Sequence, residues 1–150
     1  MDTNYIVNKQ IKTIESLGSI GYATRVALFA PLESYVLYDT DQPTIVDMIE
    51  WVPNNSSQCD MAIYVKGGDN GGEHITADGA NVTSWTAPVD IANGVLPYFD
   101  IIRYDLPNAI FKFQLKKSII CPWGIRVTLR NINGTVSFRN SCHIVYRTII

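Results

Sequence analysis

Nucleophilic catalysis needs a serine or cysteine beside an imidazole, and this sequence offers two imidazoles, His74 and His143. His143 alternates with Val145 and Arg147 in Cys142-His143-Ile144-Val145-Tyr146-Arg147, a period of two that puts it on the more polar face of a strand in a structural role. His74 follows a glycine-rich stretch and reads as a surface residue. The 14 acidic residues are scattered, so no pair of carboxylates stands out as an acid and base for glycoside cleavage. These residues predict a protein that is not an enzyme.

Binding chemistry has more to draw on. Asp69-Asn70-Gly71-Gly72-Glu73, with Asp78 nearby, supplies hard oxygen ligands and tight turns, but at a spacing unlike a calcium-binding EF-hand loop. The same loop lacks the Lys-Ser/Thr and the helix of a phosphate-binding loop, so no metal and no cofactor is expected. Trp85, between Thr83-Ser84 and Thr86-Ala87-Pro88, has the most exposed setting of the three tryptophans. An aromatic face with Asn and Asp beside it suits a sugar ring and its hydroxyls. Asp69, Asn70, Asp78 and Trp85 are therefore the candidate ligand loops of a glycan- or cell-surface-binding module, the second functional reading. Trp51 falls on one apolar face with Ile45 and Ile49, and Trp123 precedes Gly124 at a turn; core packing or an interface accounts for both.

Cys59, Cys121 and Cys142 are odd in number, lack metal-site spacing and lie in or beside apolar runs, which predicts buried free thiols. At 150 residues the chain is long enough for one domain whose core needs no disulfide or metal. Only 17% of the residues are charged, against an average of about 25%. More of the surface is then neutral, as subunit contacts prefer. Twelve basic and fourteen acidic residues give a net charge of −2 with no basic stripe, which argues against nucleic acid as a partner. Lys112, Lys116 and Lys117 read as the solvated face of an edge strand. No apolar run approaches the ~20 residues of a membrane span, and Met1-Asp2-Thr3-Asn4 does not open a secretory signal, so synthesis in a cytoplasm without membrane insertion is expected. The sequons at Asn54, Asn55, Asn81 and Asn133 are then read as turn markers.

The elements follow from periodicity. Val7, Ile11 and Ile14 recur at helical spacing between Tyr5 and Leu17, predicting a short helix that ends at Gly18, or else an extended arm. From Gly21 onward short β-branched and aromatic runs take over: 22–29, 35–38, 44–52, 59–65, 98–103, 110–115, 119–121, 125–129, 136–138 and 142–149, with weaker signals at 74–76 and 81–85. Asn54-Asn55-Ser56-Ser57 is the turn of an expected hairpin between 47–52 and 59–65. About ten strands without a crossover helix predict an all-β, antiparallel sandwich of jelly-roll type. Residues 1–20 form the arm or short helix and 21–150 a single domain.

The carboxyl-terminal third, Ile119-Ile120-Cys121-Pro122-Trp123-Gly124-Ile125-Arg126-Val127-Thr128-Leu129-Arg130-Asn131 followed by Gly134-Thr135-Val136-Ser137-Phe138 and Ile144-Val145-Tyr146-Arg147, resembles the final strands of small jelly-roll proteins of tailed-phage and other virus particles. Met61-Ala62-Ile63-Tyr64-Val65-Lys66-Gly67-Gly68 is similar to their strand followed by a glycine turn. The resemblance covers about half the chain. It implies a virion structural protein, found in the virus particle as a capsid-decorating, head-fibre or tail-associated subunit. A homo-oligomer, with a trimer favoured, and other virion proteins are the partners it implies. Tyr5, Ile6, Ile11 and Ile14 of the arm and Ile149 and Ile150 of the tail are the contact residues expected of such a subunit.

Overall fold

The structure, a computed structural model, describes residues 17–54, 58–67, 73–74 and 99–149. These form ten strands: β1 (Leu17–Phe29), β2 (Ser34–Thr40), β3 (Thr44–Trp51), β4 (Cys59–Val65), β5 (Glu73–His74), β6 (Phe99–Asp105), β7 (Ile110–Leu115), β8 (Ile119–Cys121), β9 (Ile125–Asn131) and β10 (Phe138–Ile149). The helix expected from Tyr5 lies outside the described residues except at its end. There Leu17 and Gly18 belong to β1 instead, carried by pairing of Leu17 with Ile149 in β10.

Two antiparallel sheets result. Sheet A runs β1-β10-β3-β7-β6, and β8 joins β3 on the flank it shares with β7; sheet B runs β2-β9-β4-β5. β8 takes Thr44–Val46 and β7 takes Glu50 and Trp51, so two short strands divide one edge of β3. β1 pairs with β10, β2 with β9 and β3 with β8. The chain is thus a long hairpin rolled up, with β1–β4 and again β8–β10 alternating between the sheets, which is the jelly-roll order.

Alternation places one residue in two inside. Ile49, Trp51, Phe113 and Ile144 from sheet A meet Met61, Ile63, Ile125 and Leu129 from sheet B, all fully buried. The indole of Trp51 and the ring of Phe113 pack with centroids 5.6 Å apart. Cys59, Cys121 and Cys142 are free and buried as expected. Burial raises the Cys121 thiol to about 11 and pushes the Cys142 thiol higher, so both stay protonated at neutral pH.

A buried polar cluster pins the two sheets at one end. Trp51 Nε1 donates to Asn140 Oδ1 at 2.8 Å, and Asn140 Nδ2 donates across to the Asp60 and Arg130 carbonyls of sheet B. Asn131 Nδ2 likewise donates to the carbonyls of Phe29, Ala30 and Val136.

The structure corrects several sequence expectations. β3 and β4 do not form a hairpin: they lie in different sheets, and the chain beyond Trp51 keeps following β10 through Val52 N to Ser141 O and Asn54 N to Arg139 O. Both strands carry a mostly apolar face, Val46, Ile49 and Trp51 in β3 and Met61 and Ile63 in β4, and opposing those faces across the core buries both at once, which side-by-side pairing would not. Ile45 does not share a face with Ile49 and Trp51, because Asp47 is an extra residue opposite Val145 and Tyr146 and reverses the alternation. Lys112 projects into solvent but from β7, which β6 covers, so it is not on an edge strand. Of the two settings expected for Trp123, core packing or an interface, its 57% exposure removes the first. Asn133 does make its turn: its Oδ1 accepts from Thr135 N and Val136 N.

Candidate functional site

Two surfaces stand out. The first is built by β1, which is paired only to β10 and forms one lateral edge of sheet A. Its outward residues Ile20, Tyr22, Val26 and Leu28 are 55 to 65% exposed. The strand has thirteen residues and contains neither Lys nor Pro, the residues that usually keep such an edge from pairing. Tyr22 stacks on His143 at 6.0 Å, and His143 Nδ1 is hydrogen-bonded to Thr24 Oγ1, so the imidazole serves the packing of this face. The apolar row continues inward through Val145 and Met48, opposite Tyr22 in register.

At the opposite edge of the same sheet the β6–β7 hairpin is also apolar on its surface. Ile101, Ile102, Leu106 and Ile110 are 38 to 55% exposed there. A register shift between Ile101 and Arg103 leaves both isoleucines outside. One sheet thus presents apolar patches at its two ends, with a charged stretch between them that includes the Lys112–Glu50 pair at 3.4 Å.

The second surface is the outer face of sheet B, where β9 lies between β2 and β4. Its outward residues Arg126, Thr128 and Arg130 stand opposite Tyr64, Ala62 and Asp60 of β4. Ser34 and Val36 of β2 flank them on the other side. Small side chains at Ala62 and Thr128 between longer ones leave a cavity of about 400 Å³. A second, of about 350 Å³, adjoins it at Tyr64 and is lined by Asp41, Lys66, Gly67 and Trp123. Both are open depressions on the sheet face rather than enclosed pockets.

The charges along this groove are unevenly paired. Arg130 donates through Nε and Nη2 to both oxygens of the buried Asp60, at 2.8 and 2.5 Å, which holds the guanidinium proton above its usual affinity against the cost of burial. Partial burial would lower the Lys66 ammonium, but the Asp39 and Asp41 carboxylates it bridges outweigh that and raise it. Arg126 is exposed, its guanidinium lies 5.5 Å from the centre of the Tyr64 ring, and among the described residues it makes no ion pair. Asp39 stands opposite Arg126 in register but is taken by Lys66.

Of the residues expected from sequence to act, Ile149 is half-buried at the end of β10, where its N–H donates to the Pro43 carbonyl at 2.8 Å. Tyr5, Ile6, Ile11, Ile14 and Ile150, and the loop residues Asp69, Asn70, Asp78 and Trp85, lie outside the described residues. Sequence reading missed Arg126 as a surface feature and left Trp123 between core packing and an interface. The available signal was the Arg126-x-Thr128-x-Arg130 alternation, which marks the solvent face of β9.

No protein-family model matches this chain, and no curated protein does. Two similar solved structures come from infectious bursal disease virus. That of the Gt strain has 10% identity and a TM-score of 0.22, with 88% of this chain and 42% of that chain aligned. That of the VP2 subviral particle has 8% identity and a TM-score of 0.21, with 88% and 41% aligned. The chain spans about two fifths of the length of the chains it matches. At TM-scores this low they add nothing to the strand order, which defines the fold by itself.

Proposed function

We propose that the chain is a structural protein of a virus particle, capsid-decorating or otherwise virion-associated, that works by contacts between its own copies. The observation that carries this reading is the pair of exposed apolar patches at opposite edges of sheet A, on β1 and on the β6–β7 hairpin. Two different patches that meet head to tail generate a ring when the rotation closes, and a trimer is the smallest such ring. The low overall charge and the jelly-roll order, with its resemblance to virion proteins, support the same assignment.

Light scattering on the purified chain tests it, with the expected result a trimer or larger ring. Val26→Lys with Leu28→Lys blocks one patch, and Ile102→Lys with Leu106→Lys blocks the other; each variant alone should be monomeric. Mixed together, the two variants retain one intact contact and should form a one-to-one dimer. A wild-type monomer at high concentration, or variants that assemble unchanged, overturns the proposal.

A further inference from the structure

The groove on sheet B lies on the face of the sandwich opposite the patches on sheet A, so a ring built through those patches does not use it. We infer that it is a binding site for a saccharide bearing one carboxylate, with the carboxylate at Arg126 and the sugar face on Trp123. This is independent of the ring and holds equally for a monomer.

Three features of the groove select that chemistry. Trp123 offers a half-exposed indole at one end, a flat apolar surface of the kind pyranose rings cover. Asp41, whose side chain is 87% exposed, shares Lys66 with Asp39, so two carboxylates meet one ammonium and acceptor capacity remains for hydroxyl donors. Ser34 and Thr128 add hydroxyls along the floor of the adjoining cavity.

The charge count argues for a single carboxylate over a polyanion. Arg126, Arg130 and Lys66 against Asp39, Asp41 and Asp60 sum to zero, so the groove as a whole has no field that would draw a sulfated or phosphate polymer. Within it Asp60 occupies Arg130, and among the described residues the one guanidinium without a carboxylate is Arg126. The Tyr64 ring beneath it restricts the guanidinium to a position from which its planar donor edge can meet a carboxylate. Between Arg126 and Arg130 the strand advances about 13 Å, from ~3.3 Å per residue, and Trp123 extends the groove beyond Arg126. That length fits a short oligosaccharide rather than one ring.

The test uses the full chain and two probes with one carboxylate each, 3′-sialyllactose and a hyaluronan trisaccharide with a central glucuronate, with lactose and heparin as comparisons. Binding is followed by tryptophan fluorescence and by calorimetry. At least one carboxylated probe should bind in the millimolar range or tighter and should shift the emission of Trp123, a change that Trp123→Phe removes. Lactose should bind at least tenfold more weakly. Arg126→Ala should weaken the carboxylated probe at least tenfold with an unchanged melting temperature, since the residue is exposed. Failure of both carboxylated probes, unchanged affinity in Arg126→Ala, or tighter binding of heparin that ignores Trp123→Ala would each overturn the inference.

Discussion

The ring of Tyr146 occupies the space that a side chain at Gly21 would need. The two residues are directly paired between β1 and β10, and a β-carbon at Gly21 would sit well inside van der Waals contact with the ring. Freed to lie over β1, Tyr146 stacks on Tyr38 of sheet B with centroids 4.1 Å apart, joining the two sheets near their β1–β2 edge. Burial, together with the neighbouring Tyr146 hydroxyl, raises the Tyr38 phenol above its ordinary value.

Gly21→Ala should therefore displace Tyr146 and destabilise the domain by about 1–3 kcal/mol, the usual cost of overpacking. Urea unfolding gives the value. In a Tyr146→Ala background the same glycine substitution should cost markedly less, because the clash has gone, and simple additivity of the two would show that they do not meet.

Two left-handed backbone positions should respond in opposite directions. Gly124 has φ +98° and faces the Thr40 carbonyl so closely that no β-carbon fits, hence Gly124→Ala should cost more than 3 kcal/mol or prevent folding. Leu32 has φ 61° with its side chain in solvent, and its N–H donates to Asn133 O at 3.0 Å, a bond that glycine keeps. Leu32→Gly should be neutral or stabilising by up to about 1 kcal/mol, as relief of left-handed strain offsets the entropy that glycine adds to the unfolded chain. Thermal melts of the two variants, run beside the wild type, decide the signs.

Asn140 makes three hydrogen bonds, two buried and one partly buried, that tie β10 to Trp51 and to both inner strands of sheet B. Asn140→Ala should lower stability by about 2–4 kcal/mol, more than one truncated surface amide would. Trp51 fluorescence should report looser packing at the same time. A change under 0.5 kcal/mol, ~ the scatter of surface substitutions, would mean that the cluster does not hold the sheets.

Asp47, the bulge residue of β3, accepts hydrogen bonds from Arg147 Nε and Nη2 at 2.7 and 2.9 Å, and these hold its carboxyl below the usual range against the cost of burial. A carboxyl with a depressed folded-state pKa contributes stability that is present above its unfolded value, about 3.9, and is lost as pH falls through the folded value. The stability gap between wild type and Asp47→Asn should thus be constant above about pH 5 and close progressively below it. Denaturant unfolding at a series of pH values measures the gap, and a gap that persists unchanged in acid would remove the ionic explanation.

Much of the fold is written in local pattern. Apolar alternation in Ile125-x-Val127-x-Leu129 and in Cys142-x-Ile144 marks buried faces that the structure fills. The apolar runs around Cys59, Cys121 and Cys142 marked three buried thiols. The Asp47 bulge left no trace, because one extra residue in a strand does not alter composition, and it turned Ile45 to the outside. The turn expected at Asn54–Ser57 lies outside the described residues beyond Asn54, and nothing local states whether the next strand pairs beside β3 or faces it across the core.

The all-β class, the internal thiols and the low charge follow from side-chain period and composition, which depend on each residue and its near neighbours. That β1 and β6 are the edges of one sheet, and that Trp123 and Asp41 line a depression adjoining that of Arg126 at Tyr64, follows from the packed domain alone. Those relationships join residues far apart in the chain. They are set by which apolar faces oppose one another when the rolled hairpin closes over its core, and that is a property of the whole packed domain.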